Sequence, residues 1–134
     1  MRKAKWAGIA ATLALALFAV ASQADCDWQR LGAREVDHRV DHDQIDVDKN
    51  EQPFKSIQLR VQGSPVEFNK VTVFFEKGPE QVVDIREQIQ AGGKTRQIDL
   101  QGDSAQRRIS RVVFNYRTDE AGRKAVVELW GISS

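Results

Sequence analysis

The fold turns on residues 54–75, Phe54-Lys55-Ser56-Ile57-Gln58-Leu59-Arg60-Val61-Gln62-Gly63-Ser64-Pro65-Val66-Glu67-Phe68-Asn69-Lys70-Val71-Thr72-Val73-Phe74-Phe75. Twice in this stretch an apolar residue is followed, after a gap of two, by three more at alternate positions. The first run is Phe54, Ile57, Leu59, Val61 and the second is Phe68, Val71, Val73, Phe75. The spacing returns at Ile109, Val112, Phe114, Tyr116. Period-two alternation places the last three members of each run on one face of a strand. The opening gap breaks that alternation, and one extra residue just inside the strand, a β-bulge, restores the first member to the same face. Bulges are therefore expected near the start of each run, at Lys55-Ser56 and Asn69-Lys70 in the first two.

A four-residue turn at Gln62 to Pro65 pairs the first two runs as a hairpin. Val61 then lies opposite Val66, Leu59 opposite Phe68, Ile57 opposite Val71 and Phe54 opposite Val73. A similar turn at Asp119 to Gly122 sets Tyr116 opposite Ala125, Phe114 opposite Val127 and Val112 opposite Leu129, so the inward sets coincide. Further turn clusters lie at 48–53, 77–79, 91–94 and 101–104, and helical periodicity is absent. Short strands separated by Gly, Pro and Asp indicate an all-β chain, an antiparallel β-sandwich of about eight strands. The expected strands are 28–37, 40–47, 54–61, 66–76, 80–85, 95–100, 107–117 and 123–131, and only Ile85 to Gln90 could hold a helical turn. Ile45, Val47, Ile98, Leu100, Leu31 and Trp28 complete the expected core.

Ahead of these strands the chain opens with Arg2, Lys3 and Lys5, an apolar stretch from Trp6 to Ala21, and Ser22-Gln23-Ala24. A basic start, a short apolar segment and small residues before a break describe a secretory signal peptide. The apolar stretch falls short of the roughly 20 residues of a membrane-spanning helix. The expected organisation is a signal peptide at 1–24 and a single domain at 25–134, in the periplasm or secreted, with no transmembrane segment in the mature chain. The whole chain carries 20 basic and 19 acidic residues. Loss of the basic leader leaves a slightly acidic domain, which gives no electrostatic reason to expect nucleic acid. Cys26 is the only cysteine. In an oxidising compartment it is either an idle thiol or an intermolecular disulfide to another chain.

Six segments together resemble a family of small exported bacterial β-sandwich proteins of unknown function. They are Trp28-x-x-Leu31-Gly32, Asp41 to Val47, Phe54-x-x-Ile57-x-Leu59-x-Val61, Gly93 to Leu100, Arg108-Ile109-x-x-Val112-x-Phe114-x-Tyr116 and Ala125-x-Val127-x-Leu129-x-Gly131. The matching positions are core residues, turn glycines and strand-entrance polars, so the resemblance implies a fold and an exported location rather than an activity. It implies no cofactor and no catalytic residue.

Three kinds of site remain to be weighed. The run Asp37 to Asp48, with five carboxylates and two histidines, invites calcium through Asp41, Asp43 and Asp46, or zinc through the histidines. Strand alternation puts Asp41 and Asp43 on one face and His38 and His42 on the other. A solvated edge strand whose charges discourage sheet-to-sheet association explains the run more simply. Outward-facing Phe74, Val113, Val126 and Trp130 form a second candidate, with Arg111 set across from Trp130 in reach of a cation–π contact. Phe74, Arg111 and Trp130 are the expected binding patch for a protein or a glycan. Hydrolase chemistry ranks last, because no serine lies in Gly-x-Ser-x-Gly and no pair of carboxylates falls in an expected cleft. The expectation is a non-enzymatic binding domain.

Overall fold

A computed structural model describes residues 27–37, 41–102, 108–118 and 124–133. The leader, Cys26, His38 and the turn at Asp119 to Gly122 lie outside the described residues. Eight antiparallel strands follow in order: β1 (Gln29–Val36), β2 (His42–Asp46), β3 (Ser56–Gln62), β4 (Val66–Phe75), β5 (Gln81–Ile89), β6 (Ile98–Asp99), β7 (Ile109–Arg117) and β8 (Ala125–Ile132). They form two four-stranded sheets, β1-β8-β3-β6 and β2-β7-β4-β5. This is the expected antiparallel sandwich. Among the described residues no helix is long and apolar enough to cross a membrane.

The inward faces carry the predicted apolar set. Ile57, Leu59, Val61, Phe68, Val71, Val73, Val112, Phe114, Ala125, Val127 and Leu129 are fully enclosed. Phe68 meets Phe114 edge-on with ring centres 6.0 Å apart, and Phe114 lies 5.6 Å from Tyr116. Such aromatic contacts add to the hydrophobic stabilisation of burial. Val36, Ile85 and Ile89 join the core as well, whereas Trp28 and Leu31 are only half-buried, Leu31 packing against its margin.

The bulges occur where the spacing requires them in two of the three runs. The register of β4 slips between Phe68 and Lys70, leaving Asn69 as the extra residue against β7, so Phe68 and Val71 both point inward. In β7 the slip falls at Ser110, since Phe74 pairs with Arg111 and Phe75 with Ile109. The first run differs, because β3 begins only at Ser56 and has no slip. Phe54 reaches the core from the chain ahead of the strand, where the Lys55 N–H donates to the Ile132 carbonyl at 2.8 Å.

Both expected hairpins are corrected. β3 pairs with β8 and β6, while β4 pairs with β7 and β5, so β3 and β4 belong to different sheets. β7 and β8 are divided in the same way: Leu129 pairs with Leu59 and Phe114 with Val71. Two runs that each point one apolar face inward can lie side by side in one sheet or confront each other across a sandwich. Inwardness alone does not distinguish the two arrangements. The segment from Gln62 to Pro65 is therefore an arch from one sheet to the other. Gly63 makes it possible: its φ is 93°, and a Cβ there would lie 2.7 Å from the Lys124 carbonyl oxygen. The other surprise is β5, which continues as strand through the segment that admitted a helical turn.

Replacing Gly63 combines a left-handed backbone with a collision against main chain. Gly63→Ala should cost about 1–3 kcal/mol. Urea unfolding should show this as a lower midpoint at unchanged slope.

Candidate binding face

Because the inner faces are filled, anything the domain binds must meet an outer face or an edge. On the β1-β8-β3-β6 face Trp130 stands between Arg30 on β1 and Gln58 on β3. The Arg60 guanidinium lies 4.0 Å over its ring. The indole N–H donates to Glu128 at 3.1 Å, and Glu128 also takes Arg30 at 3.2 Å. Gln58 accepts from Arg60 at 3.4 Å and donates to the Thr95 carbonyl at 3.1 Å. Beyond it Gln97 donates to Ser56 and Ser56 to Asp99, at 3.0 and 2.7 Å. Most of the polar groups on this face are spent on one another.

The other outer face is arranged in rows. Arg111 lies between Asp46 on β2 and Phe74 on β4, and its guanidinium is 4.0 Å over the Phe74 ring. In the next row Gln44, Val113, Thr72 and Val82 follow one another across the four strands. Val82 is 58% exposed, making it the one large apolar side chain in the open among the described residues. After a row formed by His42, Asn115, Lys70 and Asp84, the face sinks into a concavity of ≈ 660 Å³ lined by Glu67, Asn69, Lys70, Asp84, Arg86 and Gln88.

The expected patch is thus split. Phe74 and Arg111 are together, but Trp130 lies on the opposite outer face, and Arg111 stacks on Phe74 rather than Trp130. The expected partnership followed from pairing β7 with β8 and falls with that hairpin. Trp130 has a cation of its own in Arg60. The concavity was missed because it depends on register. Its only trace in the sequence is the irregular segment after Asp84, which fitted neither strand nor helix cleanly.

The carboxylates of the 41–48 run are each engaged locally. Asp41 takes His42 Nδ1 at 2.9 Å, and this hydrogen bond holds the Asp41 carboxyl below its ordinary value. Asp43 pairs with Arg34 at 2.8 Å, bridging the edge strands of the two sheets. Asp46 accepts from Gln44 and Asp48 from the Asn50 N–H, both at 2.9 Å. Among the described residues no three carboxylates, imidazoles or thiols converge as a metal site would need. Behind this run the Tyr116 hydroxyl is buried beside the Asp37 backbone, which lowers its pKa only slightly. Desolvation, reinforced by the negative charges of Asp43, Asp37 and Asp41, pushes its pKa up to about 12.

A search of curated proteins finds no match. Among solved structures, a chain from the structural and functional characterization of Pseudomonas aeruginosa AlgX is similar at 15% identity with a TM-score of 0.53. The match covers 75% of this chain and 26% of that one, so this chain spans about a quarter of the length of its relative. At such identity the likeness concerns the fold. The Drosophila NLP-core, whose structure addresses pentamer formation and histone binding, matches at 17% identity over 80% of this chain and 98% of its own, with a TM-score of 0.30. At that score the likeness carries no argument. A family model described as a domain of unknown function, DUF2541, matches residues 9–131.

Two measurements check this geometry. Double-mutant cycles should give coupling of about 0.5–1 kcal/mol for Phe74 with Arg111 and for Trp130 with Arg60, and additivity for Arg111 with Trp130. Tyr116 is the only tyrosine, so phenolate absorbance reports it alone. Its folded pKa lies above the ordinary 10.0, so its contribution to stability is complete below pH 10 and is lost as pH rises towards about 12. The native titration midpoint should stand near 12 and fall to about 10 in denaturant.

Proposed function

The chain belongs to the DUF2541 family, and from that premise we propose that it is an exported, non-enzymatic binding domain of the periplasm. Its ligand is an envelope glycan laid on the outer face of the β2-β7-β4-β5 sheet. The observation that carries this reading is the unspent capacity of that face. A ring clamped by Arg111 and apolar methyls at Val113 and Val82 adjoin an open polar concavity. Aromatic and aliphatic groups offer contact to the apolar side of a sugar ring, while nearby side-chain donors and acceptors meet its hydroxyls. The opposite face offers Trp130 but has committed most of its polar partners.

Composition favours a glycan over a protein partner: among the described residues Val82 is the one large apolar side chain in the open, whereas protein interfaces are built around an apolar, aromatic-rich core. Export is supported by the leader-like composition of residues 1–24. Binding rather than catalysis is supported by the openness of the face, since catalytic electrostatics depend on a water-excluded site.

Solubilised envelope glycan fractions titrated into the purified protein test this. Binding should weaken at least tenfold in Phe74→Ala and in Arg111→Ala, a loss of about 1.4 kcal/mol or more, and should persist in Trp130→Ala. Undiminished binding by the Phe74 and Arg111 variants, or equal loss in Trp130→Ala, would move the site off this face.

A further inference from the structure

The concavity beyond the Phe74 platform arises from two successive slips. Against β7 the extra residue is Asn69 of β4, because Phe68 pairs with Tyr116 and Lys70 with Asn115. Against β5 the excess passes outward: Phe68 pairs with Glu87 and Lys70 with Asp84, so Ile85 and Arg86 together oppose Asn69. One residue of this bulge adopts the left-handed conformation usually given to glycine, and here it is Arg86, with φ 51°. Among the described residues it is the one non-glycine with positive φ. Backbone held in a disfavoured region marks a position worth interrogating for function.

The side chains raised around this bulge carry both signs of charge. Glu67 faces Gln88 at one end, Lys70 faces Asp84 at the other, and Asn69 and Arg86 lie between. Arg86 Nε meets Asp84 at 3.2 Å, with side chains 79% and 64% exposed. Such an exposed pair is weak, and it leaves most of the five guanidinium N–H donors unspent. Glu67, Asn69 and Lys70 enter no side-chain hydrogen bond or ion pair among the described residues. No apolar side chain lines the concavity, so charge and hydrogen bonding must decide what it holds.

We propose that this concavity binds a zwitterionic unit. A carboxylate is held by Lys70 and Arg86 at one end, and an ammonium is held by Glu67 at the other. Asn69 and Gln88 take the neutral polar groups between them. Glu67 and Lys70 are three positions apart on one strand, at most about 10 Å, which suits two charges on one small molecule or on one repeat of a polymer. The inference rests on the glycan reading only for its neighbour on the sheet face, and it deepens that reading by naming the charge pattern of the bound unit. The source of the zwitterion is either a sugar acid bearing an amine or the free ends of a short peptide.

Calorimetry on the purified protein at low salt distinguishes the sources. The probes are muramic acid, alanyl-alanine with free ends, the same dipeptide acetylated and amidated, glucosamine and glucuronate. At least one zwitterion should bind at least tenfold tighter than the capped or singly charged probes. Tighter muramic acid assigns the source to a sugar, and tighter dipeptide assigns it to a peptide end. Arg86→Gly relieves the left-handed strain while removing the guanidinium, so its melting temperature should hold or rise as zwitterion affinity falls at least tenfold. Glu67→Gln should lose affinity similarly. Zwitterions that bind no better than the other probes, or Arg86→Gly and Glu67→Gln binding them like the unaltered protein, would overturn the proposal. Glycan retained through Phe74 with every zwitterion ignored defeats this inference alone, whereas zwitterion binding alongside a harmless Phe74→Ala defeats only the platform reading.

Discussion

Every part of this domain answers to one requirement, that two sheets bury a common apolar slab while the sequence twice inserts a residue that would throw the alternation out of step. Asn69 and Ser110 absorb those insertions, so Phe68, Val71, Ile109 and Val112 all face inward. The correction has an outward consequence. A slip in a central strand is passed to its neighbour, and on β5 it surfaces as the left-handed Arg86 and the concavity beside it. The device that preserves the core on one side of the sheet shapes the candidate site on the other.

The rest of the surface is organised to avoid unwanted contacts. Arg34 and Asp43 join across the gap between β1 and β2, the edge strands on one side of the sandwich. At the opposite side Arg96 donates to the carbonyls of Ile85 and Asp84 on the outer edge of β5, at 3.2 and 3.3 Å. Charged groups that occupy an edge in this way discourage strand addition by another chain. The tightly linked polar groups around Trp130 act similarly on one sheet face. What stays open is the other face, with Val82 in solvent and Lys70 and Glu67 uncommitted among the described residues.

The carboxylate-rich run shows why a list of attractive side chains is a weak guide to chemistry. Asp41, Asp43, Asp46 and Asp48 are close in sequence yet have four different partners, His42, Arg34, Gln44 and the Asn50 N–H. Alternation along a strand disperses neighbouring residues rather than gathering them. Asp43 and Asp41 also bear, with Asp37, on Tyr116, whose buried phenol is kept neutral to about pH 12 by desolvation first and these charges second.

By itself the sequence determined which side chains enter the core, roughly where each strand lies, the need for a bulge at Asn69, and the outward direction of Phe74, Arg111 and Trp130. These follow from local alternation, which is a property of neighbours along the chain. Tertiary structure alone decided the partners. An arch through Gly63 and a hairpin turn satisfy the same inward pattern, so only packing of the complete sandwich assigned β3 and β4 to separate sheets and Trp130 to a face of its own. Arg86 was hidden for a related reason. Its left-handed turn is imposed by the register of a neighbouring strand rather than by any preference of arginine.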